Sequence, residues 1–566
     1  MKTPYFVSGK KSGMREAPDL DAIVVGAGFM GIYMAYRMKC SGLNAKVIEA
    51  GSNVGGTWYW NRYPGAGCDI ESFEYSYAFS EELEQEWKWS RRFPTQPEIE
   101  AYLNHVTDRF ELRDMMQFDT RVISSIYDAD HALWRVTLSD GTVSTARFVI
   151  FAVGELSQPA EIRIPGLDRF KGEILHTFGW PDKEIDLAGK RVGVIGTGSS
   201  GIQIIPILAQ QASELVVFQR TPNFSIPLSD HAIDEEFEAA VKQSYPILRR
   251  LERNSESGID LRLAPLDVDS SHASDEEIEA EFERRWEAGG LYFMSSYTDI
   301  MTNEVINEKA AEFIRRKIRA KIADPKMAEK LLPQGYPFGS KRPCADRGYF
   351  ETFNRENVSL VDIKEDPITG LVETGVETQS GLHALDVVVF ATGFDAVTGA
   401  IGKIDIQGIK GKPLKESWAN GPRTNFGFMT HGFPNMFMAN IAHVPYDTYN
   451  TIRGVEFTGE WISDAIEYMR RNGFAAIDAG AQAEADFTKR VGEIAADSLL
   501  VKGNSWYLGS NVPGKPRVVM SWFDGFQSYK SAVLSSVKND YEGFEFTEVE
   551  FLPSLKMEKM GSHVDG

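Results

Sequence analysis

The stretch DAIVVGAGFMGIYMAYRMK, residues 21–39, decides the fold. A β-branched apolar run ends in Gly26-Ala-Gly28-Phe-Met-Gly31, and an apolar segment of helical composition follows. That is the strand–turn–helix frame of a dinucleotide-binding turn. The first glycine allows the tight turn, the second lets backbone approach a pyrophosphate, and the third lets helix pack on strand. The diphosphate then sits on the positive end of the helix. One such match is weak by itself. The chain repeats it about 170 residues later in RVGVIGTGSSGIQ, residues 191–203, as Gly196-Thr197-Gly198-Ser199-Ser200-Gly201. Two turns imply two dinucleotides, and two redox dinucleotides imply electron transfer between them. The expected fold class is α/β, with two Rossmann-like dinucleotide-binding domains and a helical insertion.

The end of the second strand in each unit selects the ligand. AKVIEA places Glu49 23 residues after Gly26. A carboxylate there accepts hydrogen bonds from ribose hydroxyls and repels a 2′-phosphate, which suits FAD or NAD. ELVVFQR places Gln219 at the same spacing after Gly196, with Arg220 next. A guanidinium forms bidentate, charge-assisted bonds to phosphate, so the second site reads as NADPH-selective. The plainer alternative is that both are solvated strand-end charges.

Composition bounds the rest. The 566 residues suffice for two or three domains and a large core. A net charge of −21 argues against nucleic acid or an anionic membrane as the main partner. The three cysteines, Cys40, Cys68 and Cys344, form no CxxC, so thiol–disulfide reduction is not expected. Scattered thiols suit a reducing compartment, and no signal peptide or apolar run of roughly 18 to 20 residues is present, so the expected location is cytoplasmic. No metal site is expected.

Residues 1–19 and 550–566 read as flexible tails. Residues 20–155 and 391–545 read as a first, discontinuous dinucleotide-binding domain, which the resemblance described below makes the FAD-binding domain, and in which Asp140-Gly141 marks a hairpin turn. Residues 160–224 and 336–390 read as a discontinuous NADP-binding domain. Between them, residues 225–335 read as a helical insertion rich in Glu, Arg and Ala, whose charge is mostly a solvated helix face.

Five ordered motifs resemble one family. Phe170-Lys-Gly172-Glu-Ile-Leu-His176-Thr-Phe-Gly-Trp180-Pro181 matches FxGxxxHxxxW(P/D), the fingerprint of Baeyer–Villiger monooxygenases, just before the second glycine motif as in that family. Gly55-Gly56-Thr57-Trp58-Tyr59-Trp60-Asn61-Arg62-Tyr63-Pro64-Gly65 with Asp69 resembles its flavin-side segment. Tyr336-Pro337-Phe338-Gly339-Ser-Lys341-Arg342 resembles its active-site strand, and Ala391-Thr392-Gly393-Phe394-Asp395 and Ser505-Trp506-Tyr507 also fit. The resemblance implies FAD, NADPH and O2, and conversion of a small-molecule ketone to an ester or lactone through a C4a-peroxyflavin. It covers roughly residues 20–545.

It also implies residue roles. Arg342 would keep the peroxide anionic and hold the tetrahedral oxyanion that follows, and Asp69 would hold and balance Arg342. Lys341 would grip the NADP 2′-phosphate with Arg220 and Thr221, and Trp506 would cover the nicotinamide. Gly26, Gly28 and Gly31 would form the flavin diphosphate turn and Glu49 would take the ribose. Gly56, Thr57, Trp58 and Asp69 would approach the isoalloxazine, with Tyr75 nearby. Residues Thr197 to Gly201 would wrap the NADP diphosphate, with Gln203 on the helix beyond. His176 is left outside the catalytic set, because the family's fingerprint histidine lies on an interdomain connection.

Three departures from the family stand out. Gly67 occupies a position that is often arginine in relatives, which removes a positive charge. The segment Ala152-Val153-Gly154 is a modest change. Asn440-Ile441-Ala442-His443-Val444-Pro445-Tyr446-Asp447 replaces a glycine–proline segment of small residues, reshaping the ketone pocket or letting peroxide leak. His443 reads as a satisfied structural histidine in preference to a titrating one. The rival functions are oxygenation of a soft amine or sulfide, NADPH oxidation, and flavin-based sensing of NADPH without turnover. The chain could be a monomer or a homo-oligomer.

Overall fold

The structure is a computed structural model and describes residues 18–259, 266, 268–445 and 448–548. Tyr446, Asp447 and nearly all of both expected tails lie outside the described residues.

Each glycine motif joins a buried parallel strand to a helix. Strand Leu20–Val25 leads to helix Phe29–Cys40 and returns in strand Ala45–Ile48, its parallel neighbour. On its other side Leu20–Val25 pairs with Val143–Phe151, whose last seven residues are all buried. Burial on both faces is why these central strands read as continuous apolar runs. The early part of Val143–Phe151 pairs antiparallel with Leu133–Leu138, which pairs in turn with Val122–Asp128. Gly141, at φ +86°, makes the turn of the first of these hairpins. Two late strands join the same sheet, Asp405–Gln407 at an edge and Met436–Met438 beside the end of Val143–Phe151.

The second sheet is wholly parallel, in the order Val358–Asp362, Glu214–Gln219, Arg191–Ile195, Val387–Phe390, Glu173–His176. Helix Ser199–Gln211 follows its glycine turn. The fingerprint segment thus begins as this sheet's edge strand.

The helices within 225–335 divide between two cores. Val241 and Tyr245 of Glu235–Asn254 pack with the first unit, whereas Asp275–Ala288 and Glu304–Lys321 share the core of the second. Arg249 fixes the first attachment by donating to Glu84 at 2.6 Å, to Glu252 at 2.8 Å and to the Phe73 carbonyl at 2.8 Å. Helix Thr451–Asn472 lies on helix Phe29–Cys40 at Gly459, where a Cβ would stand 2.6 Å from the Tyr33 ring. One expectation is corrected: residues 336–342 form a turn rather than a strand, and the strand there is Cys344–Asp346, paired with Ser225–Pro227. Pro337, and Gly339 at φ +80°, prevent a continuous ladder.

Candidate active site

The two glycine turns open on one cleft of about 1220 Å³. Such a crevice is expected beyond the carboxyl ends of parallel strands. Gly26, at φ +104°, has no room for a side chain, since a Cβ would lie 2.5 Å from the Ala152 carbonyl oxygen. Helix Phe29–Cys40 starts at Gly28 without a side-chain cap, and Gly28, Phe29 and Met30 line the cleft. Helix Ser199–Gln211 likewise starts at uncapped Gly198, and Gly198, Ser199 and Ser200 line it. Two uncapped helix starts on glycine backbone fit two dinucleotide diphosphates.

Gly31 and Gly201 do not line the cleft. A Cβ on either would fall 1.8 Å or 2.2 Å from the carbonyl oxygen of Gly26 or Gly196, so they serve the close packing of helix on turn. Thr197 and Thr221 are also set back, the Thr197 hydroxyl donating to the Thr221 carbonyl at 3.3 Å.

Glu49 is 4 % exposed and lines the cleft. Its two carboxylate oxygens accept from the N–H groups of Ala27 and Gly51, both at 2.7 Å. Burial raises its pKa, opposed by these N–H groups. Each oxygen keeps a further lone pair for a ribose hydroxyl. Gly56, at φ +53°, brings Thr57 and Trp58 into the cleft, and the Trp58 indole donates to the Tyr75 hydroxyl at 3.1 Å.

At the cleft wall Arg342 meets Asp69 in a two-point pair, Nη2 to Oδ1 at 2.9 Å and Nε to Oδ2 at 3.2 Å. The partners are 273 residues apart and remain 27 % and 24 % exposed. Next to it, burial lowers the Lys341 pKa, and Arg220 and then Lys364 lower it further. Mutual repulsion of neighbouring cations marks a place for an anion. Trp506 lines the cleft from the short helix Trp506–Leu508.

Several contacts join the units. Gln203 accepts from the Tyr63 hydroxyl at 2.6 Å and donates to the Gly67 carbonyl at 3.0 Å. Beyond His176, Phe178 stacks on Trp60 with centroids 5.3 Å apart, and the Gly179 N–H donates to the Trp60 carbonyl at 2.6 Å. His176 itself accepts from the Phe178 N–H at 2.9 Å and does not line the cleft; burial lowers its pKa.

A guanidinium stands beside Gly67, although it does not line the cleft. A Cβ on Gly67 would stand 2.9 Å from Nη2 of Arg347, whose guanidinium occupies that space. In the altered 440–447 segment, Asn440 reaches the cleft wall, with Oδ1 accepting from the Thr458 hydroxyl at 2.9 Å. His443 is 2 % exposed, lies off the cleft and meets the Thr424 hydroxyl at 2.9 Å; burial lowers its pKa to about 4.

Arg347 and Glu155 escape sequence reading. Glu155 lines the cleft immediately after Gly154. A carboxylate just past the carboxyl end of a central strand was the available signal.

Comparisons with known proteins follow this geometry. Residues 23–254 match the model of the pyridine nucleotide-disulphide oxidoreductase family. The chain is 39% identical over 528 residues to the acetone monooxygenase (methyl acetate-forming) of Gordonia sp. (strain TY-5), covering 93% of this chain and 98% of that one. It is also 39% identical over 528 residues to phenazine N-monooxygenase PhzNO1 of Lysobacter antibioticus, covering 93% and 96%. A crystal structure of OTEMO in complex with FAD and NADP superposes with a TM-score of 0.90 at 39% identity, covering 94% of this chain and all of that one.

Proposed function

The chain belongs to the Baeyer–Villiger monooxygenases, flavoproteins that use FAD, NADPH and O2, and on that premise we propose that Arg342, held by Asp69, stands at the reacting centre. The observation that carries this is the two-point Arg342–Asp69 pair on the wall of the cleft onto which both glycine turns open. When bound, FAD with NADPH supplies activation of O2, which no side chain of this chain can perform.

The chain's residues do the rest. Arg342 stays protonated at all working pH values and stabilises negative charge on the oxygen of an attacked carbonyl. Asp69 fixes its plane and leaves the pair neutral, so the approach of an anion is not opposed by a lone carboxylate. Glu49 orients one ribose, and Arg220 with Lys341 takes the 2′-phosphate of the other dinucleotide. Trp506 and Trp58 cover the cleft and limit water. The FAD unit is drawn from residues 20–155 and 391–545, and the NADP unit from 160–224 and 336–390. Strands Asp405–Gln407 and Met436–Met438 in the first sheet support that division, as do Val358–Asp362 and Val387–Phe390 in the second.

The substrate is a small-molecule ketone, and the setting cytoplasmic. Among the described residues no helix is long and apolar enough to cross a membrane. The test is oxidation of a ketone panel under 18O2. One labelled oxygen in an ester or lactone per NADPH is expected; NADPH use without any labelled ester would reject the proposal. Likeness to a phenazine N-monooxygenase favours one second reading, N-oxygenation, which the same experiment run with aromatic N-heterocycles distinguishes.

A further inference from the structure

Residues 336–344 run beside residues 220–227. At one end the Tyr336 hydroxyl donates to the Pro222 carbonyl at 2.6 Å. At the other the Cys344 N–H donates to the Phe224 carbonyl at 2.9 Å, where strand Cys344–Asp346 begins its pairing with Ser225–Pro227. Each segment delivers one cation to the cleft, Arg220 just before Pro222 and Lys341 between the two fastenings. Among the described residues neither Arg220 nor Lys341 has an ion-pair partner.

Tyr336 itself does not line the cleft. The Lys341 ammonium lies over its ring, 4.8 Å from the centroid, within cation–π range. Phe224, which is buried, meets the same ring edge-on with centroids 5.4 Å apart and fixes its plane. Burial holds the Tyr336 pKa well above the ordinary value, so its hydroxyl stays a donor to Pro222. A lysine carries a point charge on a flexible stem, and ordering that stem costs entropy. A carboxylate would order it by neutralising it and occupying its protons. An aromatic face orders it and leaves the charge and all three N–H donors for an anion.

We propose that Tyr336 is a positioning residue for the discrimination of NADPH from NADH: its hydroxyl holds the segment that carries Arg220, its ring carries Lys341, and one side chain thereby sets the spacing of the two cations. This rests on the reading of Arg220 and Lys341 as the 2′-phosphate site given above. Tyr336 touches no nucleotide on this account, and it acts only on the part of the dinucleotide that the two cations contact.

Tyr336→Leu removes the ring and the hydroxyl, and Tyr336→Phe removes the hydroxyl alone. In the holoenzyme, calorimetry should show Tyr336→Leu binding adenosine 2′,5′-bisphosphate about 5- to 30-fold more weakly than the parent, with 5′-AMP, which lacks the 2′-phosphate, unchanged. Stopped-flow reduction of the flavin should show the same loss of affinity for NADPH and none for NADH. Tyr336→Phe should lie between the parent and Tyr336→Leu. A merely structural role would weaken both nucleotides alike. Equal weakening of both, or a ratio of the two affinities unchanged in both variants, would overturn the proposal; Tyr336→Phe decides alone if Tyr336→Leu does not fold. A ratio unchanged in both Lys341→Ala and Arg220→Ala would instead overturn the reading of the 2′-phosphate site.

Discussion

The two dinucleotide turns share the backbone angles of their paired glycines and differ in chemistry. Gly26 and Gly196 take φ +104° and +114°, and a Cβ on either would strike a carbonyl oxygen, Ala152 at 2.5 Å or Ala391 at 2.3 Å. Gly28 and Gly198 share φ −81°. The difference begins at the end of the second strand. Glu49 turns inward, braces its own turn through Ala27 and Gly51, and presents negative charge. Gln219 turns away, donating to the Lys330 carbonyl at 2.7 Å, and leaves Arg220 to line the cleft. On the proposed reading, the backbone turn takes a dinucleotide and one strand-end residue selects which.

Breaking the turns separately should give the largest effects. Gly26→Ala should purify without flavin, because the left-handed φ costs about 1–2 kcal/mol and the Ala152 contact cannot relax cheaply. Gly196→Ala should keep its yellow colour and lose reduction by NADPH. Absorbance of the purified variants checks both, and equal flavin content would contradict the assignment of turns to cofactors.

Sharpening the chemical difference should have intermediate effects. Arg220→Ala should weaken NADPH binding by about 10- to 100-fold and leave NADH nearly unchanged, as measured by stopped-flow reduction of the flavin.

A third prediction concerns the contact between the units near Gly67. Gly67→Arg alone should be impaired, since two guanidinium groups would compete for one space. The double variant Gly67→Arg/Arg347→Ala should recover, with a coupling of about 0.5–3 kcal/mol from a double-mutant cycle on kcat/KM.

A last prediction concerns acid stability, which leaves turnover at neutral pH untouched. His443 is kept neutral in the fold and binds a proton near its ordinary pKa when unfolded, so its contribution is whole above pH 6.5 and is lost as pH falls towards 4. The full loss amounts to about 3 kcal/mol. His443→Gln should show a smaller fall of Tm between pH 7 and 4 than the parent.

How much is legible in the chain follows from range. The α/β class and both turns are written in local patterns of strand, glycine and helix, so they read directly. Glu49 and Arg220 read almost as well, because strand length fixes their distance from the first glycine. The Arg342–Asp69 pair spans 273 residues, and only resemblance to a family brings its members together. Arg347 beside Gly67 has no local signal, since an absent side chain does not say what fills its space. Residues 336–342 read as a strand on resemblance alone, and Pro337 and Gly339 make them a turn. Gly31, Gly201, Thr197 and Thr221 belong to the binding motifs by position, yet their atoms serve packing behind the cleft.

The central claim is that Arg342 serves oxygen insertion and is not needed for electron entry. The direct measurement is stoichiometry in Arg342→Ala: NADPH consumed, ester formed and H2O2 released, at saturating ketone and NADPH. Ester should fall by on the order of 10²–10³-fold while NADPH consumption continues with matching H2O2. Ester formed at the parent's ratio to NADPH would contradict the account.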